Sequence, residues 1–505
     1  MKVSVTLSPG GRHDVEPEVM FSAGQEGPAS ALRHETLLAV GVRVRVDLTT
    51  PHRWRSVTVS SWNFSADRII RDLVGTSAVG YINEGLRPCT AHSPSIEVDQ
   101  IEVDPSAAGP WLRVAVVDAL DRWLQLPLDQ SLVDAERGVA RTRAALNLPE
   151  GRARTALLHE ALLLARRAAP GLVTYLTRLG HRHVPLPPAL LDGLRRLIEG
   201  YRALLAEVRG HDENLTAVVD AYGSFRVVAL PRHRSHPGAR LPTHGDVSPR
   251  ASAAGLIDPR QVPARTLQLD TDPDRPEITV RPLSSSSFRN ARTVIVDVPV
   301  FRRIAVDHGV GSRMLARLVD RDTGRARGEA LLTLHPGDAQ DTRRSTLRGV
   351  LRIPPDQEAI DLETVRVDVF DALNERQPAT TDNESALHNA RRAILALGEW
   401  RQLVAEARIQ PAVAHPVGRV RRIGRLLFPG GETAGRVCAP ASVGLGRQHL
   451  EKLSGLSDSE LLERLQTTEW LNADDNDADS ILAPALGPSD LLVAELAAVF
   501  EQAHS

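Results

Sequence analysis

Five residues between positions 181 and 220 are of the types that bind transition metals in enzymes. They form two groups along a region of helical periodicity, and they are His181, His183, His211, Asp212 and Asp220. Imidazole nitrogens and carboxylate oxygens are ligands of zinc, iron and manganese, and a bound metal activates water for hydrolysis. If the fold brought these side chains together, the resulting chemistry would be metal-assisted hydrolysis.

The His211-Asp212 pair and the neighbouring histidines resemble the ligand set of HD-type metal phosphohydrolases. In that family the His-Asp pair follows an apolar helical run, whereas Gly210 precedes it here and is typical of a helix end. This difference favours solvated loop histidines over metal ligands. The sequence therefore predicts no catalytic residue, no metal site and no cofactor.

Three other metal-like patterns are incomplete. His34-Glu35 and His159-Glu160 begin an HExxH motif, but leucine occupies the position of each second histidine. Asp475, Asp477 and Asp479 alternate as in a calcium loop, but the sixth position is serine and the twelfth is leucine. Three further histidines lie among prolines and arginines, which is typical of a polar linker; these are His233, His236 and His244.

Lysine is almost absent, and this excludes several enzyme classes. Of the 61 basic residues only Lys2 and Lys452 are lysines. Phosphate-binding loops, protein kinases and pyridoxal phosphate enzymes each need a lysine in a defined setting, and neither lysine has one. No GxSxG nucleophile elbow occurs either.

Arginine is abundant, and its distribution indicates two basic regions. Residues 136–183 contain nine arginines and three glutamates. A second group is a candidate site for an anionic partner: Arg419, Arg421, Arg422 and Arg425. A segment with a net charge of -10, residues 448–505, follows closely. Because opposite charges attract at short range, this acidic segment is expected either to cover the arginines or to face a partner beside them.

Composition indicates a globular protein in a reducing compartment. Cys89 and Cys438 are far apart and lack metal-binding spacing, so neither a disulfide framework nor a zinc site is expected. The N-terminus lacks the apolar core of a signal peptide, and no apolar run approaches the length of a membrane span. The sequence predicts a cytoplasmic location and no membrane partner.

Hydrophobic periodicity predicts an α+β multidomain chain with alternating strand-rich and helical regions. Apolar alternation from Leu37 to Leu48 predicts one strand, and Pro110 is expected to begin a helix. A leucine-rich seam with three- and four-residue spacing predicts a helix over 187–209. Short Val- and Leu-rich runs between 277 and 370 predict a β-sandwich of Ig-like architecture, with a hairpin at 320–328.

These patterns divide the chain into six segments. The predicted order is a strand-rich α+β domain (1–126), a helical bundle (127–230), a Pro/His/Arg-rich linker (231–265), a β-sandwich (266–375), a helix with a basic Gly/Arg loop (376–447) and an acidic helical tail (448–505). The linker has six prolines and little to bury, so it cannot offset the entropy of becoming ordered.

Three functional hypotheses are consistent with the sequence. The first is a non-enzymatic, multidomain interaction or scaffold protein with protein partners. The second is an enzyme whose Asp, Glu or His site is assembled across loops, as in an HD-like metal phosphohydrolase. The third is an arginine-based binder of nucleic acid or another anionic partner, although few aromatic residues lie among the arginines to stack on bases.

Overall fold

A computed structural model describes most of the predicted elements. The described residues are 3–8, 18–23, 33–39, 41–48, 54–60, 63–76, 79–80, 95–98, 105–124, 128–181, 185–208, 211–224, 257, 262, 266–267, 278–283, 291–301, 312–335, 344–353, 358–374, 384–412, 414–427, 447–466 and 491–504. The chain is mixed helix and sheet, with several antiparallel sheets and a helical region. It divides into two compact units, one comprising 1–120, 128–235 and 399–505, and the other 121–127 and 236–398.

The first unit begins with an antiparallel six-stranded sheet. Its strands are β1 (Val3–Ser8), β2 (Glu18–Ala23), β3 (Arg33–Ala39), β4 (Val42–Asp47), β5 (Trp54–Val59) and β6 (Ser95–Val98), in the order β3-β4-β5-β2-β1-β6. The single strand predicted over 37–48 is wrong, because the chain reverses between β3 and β4. Gly41 has φ 81°, a left-handed conformation that permits this reversal.

Helix α1 (Phe64–Val74) packs against this sheet. It begins where Asn63 Oδ1 accepts hydrogen bonds from the backbone N–H groups of Ser65 and Ala66, both at 3.0 Å. The buried Trp54 of β5 donates from Nε1 to the Leu73 carbonyl at 2.7 Å, so the polar edge of its indole is satisfied inside the core.

Five helices follow in the first unit: α2 (Pro105–Trp123), α3 (Gln130–Leu146), α4 (Arg152–His181), α5 (Pro188–Glu207) and α6 (Glu213–Ser224). The prediction for 187–209 is confirmed by α5. The predicted start of α2 is wrong, since the helix begins at Pro105 and Pro110 lies within it. Helix α4 presents buried alanines to α3, and Gly138 of α3 approaches the Ala161 carbonyl closely. Small side chains therefore allow α3 and α4 to pack tightly.

The second unit contains two antiparallel sheets that share one core. The four-stranded sheet has the order β11-β12-β8-β7, from β7 (Thr279–Pro282), β8 (Thr293–Phe301), β11 (Thr333–Leu334) and β12 (Arg344–Arg352). The three-stranded sheet has the order β10-β9-β13, from β9 (Met314–Asp320), β10 (Ala326–Leu331) and β13 (Val365–Asp371). Side chains from both sheets form a single buried cluster.

Two local features of this unit bear on the predictions. Gly324 has φ 66° in the turn between β9 and β10, which confirms the predicted hairpin. Ile257 and Val262, within the predicted linker, are buried in the shared core. The rest of 231–265, including its three histidines, lies outside the described residues.

The C-terminal region is helical where it is described. Its helices are α7 (Glu384–Ile409), α8 (Pro416–Leu427), α9 (Arg447–Ser454), α10 (Asp458–Gln466) and α11 (Val493–Ala503). From Glu399 onward this region belongs to the first unit, together with the N-terminal sheet and bundle. None of the helices in the described part of the chain has the length and hydropathy needed to cross a bilayer.

Candidate functional site

The four candidate arginines lie on one helix, α8. Pro416 occupies the first helical position, where its missing N–H is tolerated. Val420, Ile423 and Leu426 recur at three-residue spacing and are buried, whereas Arg421 and Arg425 are exposed. Asp458 Oδ1 accepts a hydrogen bond from the Val417 backbone N–H at 3.2 Å and thereby stabilises the beginning of the helix.

Two of the four arginines are neutralised by glutamates of α7. Arg419 Nη2 lies 2.8 Å from Glu406 Oε1, and Arg422 Nη1 lies 3.4 Å from Glu399 Oε1. Burial raises the pKa of the Glu406 carboxyl, and the Arg419 guanidinium and the Gln402 side-chain amide oppose this rise. These two arginines therefore join α8 to α7 and have little charge left for another partner.

The other two arginines remain exposed. Arg421 and Arg425 are four residues apart, so their side chains lie on one face of α8. Neither makes a hydrogen bond or ion pair with any residue that the structure describes. We call these two exposed residues the α8 arginine pair. Binding of an anionic partner by all four arginines stays a prediction.

The glutamates that neutralise Arg419 and Arg422 precede the acidic segment in the sequence. The sequence-based expectation assigned such a role to residues 448–505, of which 467–490 lie outside the described residues. Helices α9 and α10 of this segment pack on α8, and Asp458 of α10 accepts the hydrogen bond from the Val417 backbone N–H. Coverage of the α8 arginine pair by the acidic segment stays a prediction.

Among the His and Asp residues of 181–220, Asp212 has hydrogen-bond partners within the protein that explain its burial. Asp212 Oδ1 accepts from the Leu215 backbone N–H at 3.0 Å, and Arg166 Nε donates to Oδ2 at 2.6 Å. Burial alone would raise the pKa of Asp212, but the Leu215 N–H and Arg166 lower it overall. The carboxylate therefore caps α6 and binds α4.

The other residues of the incomplete metal-binding patterns lie on different elements or outside the described residues. His181 ends α4 and Asp220 is exposed on α6, while His183 and Asp475 to Asp479 lie outside the described residues. Glu35 accepts from Arg45 across β3 and β4 at 2.8 Å. Among the described residues, no group of three or more His, Cys, Asp or Glu side chains is placed to hold a metal ion.

The basic region of the bundle is largely neutralised by acids from other parts of the first unit. Six of its nine arginines form ion pairs with carboxylates, namely Arg137, Arg141, Arg154, Arg166, Arg167 and Arg178. Most of the partners lie outside the 136–183 window: Asp118, Asp134, Glu207, Asp212 and Glu501. The local excess of arginine mainly joins helices together.

A groove in the second unit was not anticipated from the sequence. It has a volume of about 590 Å³, and β10, β11 and β12 line it. Leu331, Leu334 and Val350 contribute apolar side chains that are 49%, 37% and 43% exposed. The sequence does contain one signal, because adjacent side chains of an extended chain point to opposite sides and Leu331 and Leu332 are consecutive. Leu332 is fully buried, which leaves Leu331 exposed.

The charged residues at this groove are already paired within the sheets. Arg348 donates to Asp297 at 2.5 and 3.1 Å, and Arg317 donates to Glu329 at 2.5 Å. Arg317 also lies over the Phe370 ring, 4.5 Å from its centroid. The groove consequently presents apolar side chains beside paired charges and the polar residues Thr333 and His335.

Comparison with models of known protein families, with curated proteins and with solved structures gives no significant match to this chain.

Proposed function

We propose that this chain is a non-enzymatic interaction protein whose groove binds an extended, uncharged and apolar segment of a partner protein. The observation that carries the proposal is the grouping of Leu331, Leu334 and Val350, all exposed, around one groove. Contiguous exposed apolar surface is characteristic of interaction sites, since leaving it in water is unfavourable.

The charged side chains and the strand edges at the groove indicate which kind of peptide it would bind. Arg348 and Glu329 have carboxylate and guanidinium partners, so a charged ligand would have to compete with them. Strands β10 and β11 each end the strand order of their sheet. An extended segment beside such an edge adds main-chain hydrogen bonds, while alternate side chains contact Leu331, Leu334 and Val350 in the groove.

The proposal retains two finer expectations from the sequence. The second unit is proposed to be an Ig-like β-sandwich, supported by two antiparallel sheets that share one core. The protein is proposed to act in the cytoplasm as a scaffold, supported by the distant, unclustered Cys89 and Cys438 and by its several modules.

A peptide selection against the immobilised full-length chain tests the proposal. Random ten-residue peptides are selected on the native protein and on the Leu331→Asp and Leu334→Asp variants. We expect the native protein to enrich uncharged peptides with Val, Ile or Leu at alternate positions. The Kd of an enriched peptide, measured by fluorescence anisotropy, should rise at least tenfold in both groove variants.

Leu373→Asp provides a matched control. Leu373 is a strongly exposed leucine of the same unit and does not line the groove. This variant should bind the selected peptides like the native chain, and circular dichroism should show the same fold for all proteins. Enrichment of charged peptides, or equal binding by the native protein and the groove variants, would contradict the proposal.

A second candidate function is binding of an anionic partner by the α8 arginine pair. The specific observation is the exposure of Arg421 and Arg425 on one helix face, without an ion pair to any described residue. Two guanidinium groups one turn apart match the spacing of phosphate or carboxylate groups on a flexible polyanion. This function concerns a different surface and is tested separately.

A further inference from the structure

The C-terminal helix α11 is held in the first unit by a mixture of apolar packing and buried charge. It packs on α3 and α5. Leu496 and Phe500 are buried, and Gly193 of α5 permits close contact with Val493 Cγ2. The helix begins at Val493, so its first backbone N–H groups have no carbonyl partner within the helix.

Glu136 of α3 lies at this end of α11. Its side chain is almost fully buried. The backbone N–H groups of Val493 and Ala494 favour the ionised form of its carboxyl and so lower its pKa. Arg113 of α2 contributes one cation, with Nη2 3.4 Å from Glu136 Oε1. A buried carboxylate needs a well-placed cation to remain ionised. The distance from Arg113 to Glu136 is long for a hydrogen bond, and the Arg113 side chain is a quarter exposed.

The second buried cation in this region belongs to another carboxylate. Arg401 of α7 donates to Glu495 of α11 from Nε at 2.8 Å and from Nη2 at 2.6 Å. Glu495 Oε2 also accepts from the Leu492 backbone N–H at 2.7 Å. Glu495 therefore has a complete set of partners, and its negative charge adds to the disadvantage of ionising Glu136.

Charged side chains of α5, which packs against α11, influence Arg143 of α3. Arg196 and Glu199 of α5 act on Arg143, which also lies close enough to Arg113 to be influenced by it. Among the described residues, the charges that act on Glu136 are Arg113 and Glu495. Burial raises the pKa of Glu136 to about 7, and Arg113 with the two N–H groups only partly opposes this rise.

We propose that α11 is a proton-dependent latch, in which protonated Glu136 favours the docked helix and ionised Glu136 favours its release. Release would expose the Glu136 carboxyl to water, where its ionised form is well solvated. The pKa of Glu136 in the docked state lies above the usual value near 4.5. The contribution of protonated Glu136 to docking is therefore fully present at low pH. It is lost as the pH rises through about 7. This inference goes beyond the proposed function and does not depend on it.

Hydrogen exchange of the full-length protein tests the latch. The opening equilibrium constant of α11 is obtained from its amide exchange rates between pH 5.5 and 8.5, corrected for the intrinsic pH dependence of exchange. We expect this constant to rise about tenfold between pH 6 and pH 8. Amides of α4 should not show the same rise. A constant that is independent of pH, or an equal rise in α4, would overturn the proposal.

Three variants separate Glu136 from other titrating groups. Glu136→Gln should remove the pH dependence, with α11 as protected at pH 8 as at pH 6. His504→Gln is the matched control, because it removes another ionisable side chain at the end of α11; this variant should keep the native pH dependence.

Arg113→Met should move the transition to higher pH, since it removes the cation that favours ionised Glu136. This variant tests the latch even if Glu136→Gln fails to fold. Loss of the pH dependence in His504→Gln, its persistence in Glu136→Gln, or an unchanged transition in Arg113→Met would each contradict the proposal.

Discussion

Gly200 of α5 lies directly against Val139 of α3, with no space for a side chain between the two helices. A Cβ atom at position 200 would lie 2.3 Å from Val139 Cγ1 and 2.9 Å from Val139 Cβ. Real Cβ atoms do not approach other carbon atoms so closely, and the Val139 Cβ cannot rotate away. Glycine therefore sets how closely α3 and α5 approach each other.

The first prediction is that Gly200→Ala destabilises the protein although alanine favours helices. Alanine gains about 1 kcal/mol of helix propensity over glycine, but overpacking costs about 1–3 kcal/mol. Urea unfolding should therefore show a lower midpoint for Gly200→Ala. Gly223→Ala is the control, because a Cβ there meets no atom within 4 Å. If both variants behave alike, the close contact is unimportant for stability.

The second prediction concerns the buried ion pair between Arg401 and Glu495. Arg401→Met should lower the free energy of unfolding by about 3–5 kcal/mol, because it leaves an uncompensated carboxylate inside the protein. The double variant Arg401→Met/Glu495→Gln should be more stable than Arg401→Met alone, since glutamine is neutral and still accepts the Leu492 N–H. Denaturant unfolding of the native protein, Arg401→Met, Glu495→Gln and the double variant measures this coupling. Additive effects of the two substitutions would contradict it.

The third prediction is that Asp212 acts as a helix cap and ion-pair partner. Asp212→Ala should cost about 1–2 kcal/mol, whereas Asp212→Asn should cost less because asparagine retains the cap. The pKa of Asp212 is lowered in the folded protein, so its contribution is present above the unfolded value of 3.8. This contribution disappears as the pH falls through the lower folded value.

Thermal unfolding at several pH values measures the effect at Asp212. The stability difference between the native protein and Asp212→Asn at pH 7 should therefore shrink near pH 3. The ion pair with Arg166 adds little, because that guanidinium is half exposed. Stoichiometric zinc, iron or manganese in the native protein that is lost in Asp212→Asn would instead favour a metal site.

The fourth prediction concerns the α8 arginine pair. A labelled twelve-nucleotide single strand should bind the full-length chain in a salt-dependent manner, because each arginine displaces counterions from phosphate. Arg421→Gln/Arg425→Gln should weaken binding and reduce the slope of log K against log salt concentration by about 1.4. Fluorescence anisotropy in a salt titration gives both values.

Arg152→Gln/Arg202→Gln is a charge-matched control for this measurement. Both residues are exposed arginines of the bundle, distant in the sequence from α8. The control should bind like the native chain. If it weakens binding as much as the α8 double variant, the interaction reflects overall charge and not the α8 arginine pair.

Several elements could be predicted from the sequence because their causes are local. The seam of α5 is apolar at three- and four-residue spacing, and any helix with that spacing has one face to bury. The hairpin at 320–328 contains Gly324 where a left-handed conformation is needed.

The β3–β4 hairpin was missed for an equally local reason. Alternation continues through Leu37 to Leu48, so the pattern alone cannot distinguish one long strand from two that reverse at Gly41. Periodicity reports which side chains share a face, and it does not report where the main chain turns.

Only the tertiary structure decided how charge is used. The sequence indicated Arg419, Arg421, Arg422 and Arg425 as one candidate group, but Glu399 and Glu406 of α7 form ion pairs with Arg422 and Arg419. The same holds for Arg166, whose partner Asp212 is 46 residues away in the sequence. Coulomb energy depends on distance in space, and helix packing sets that distance. Sequence therefore determined the type and number of charges, whereas the fold determined which of them remain exposed.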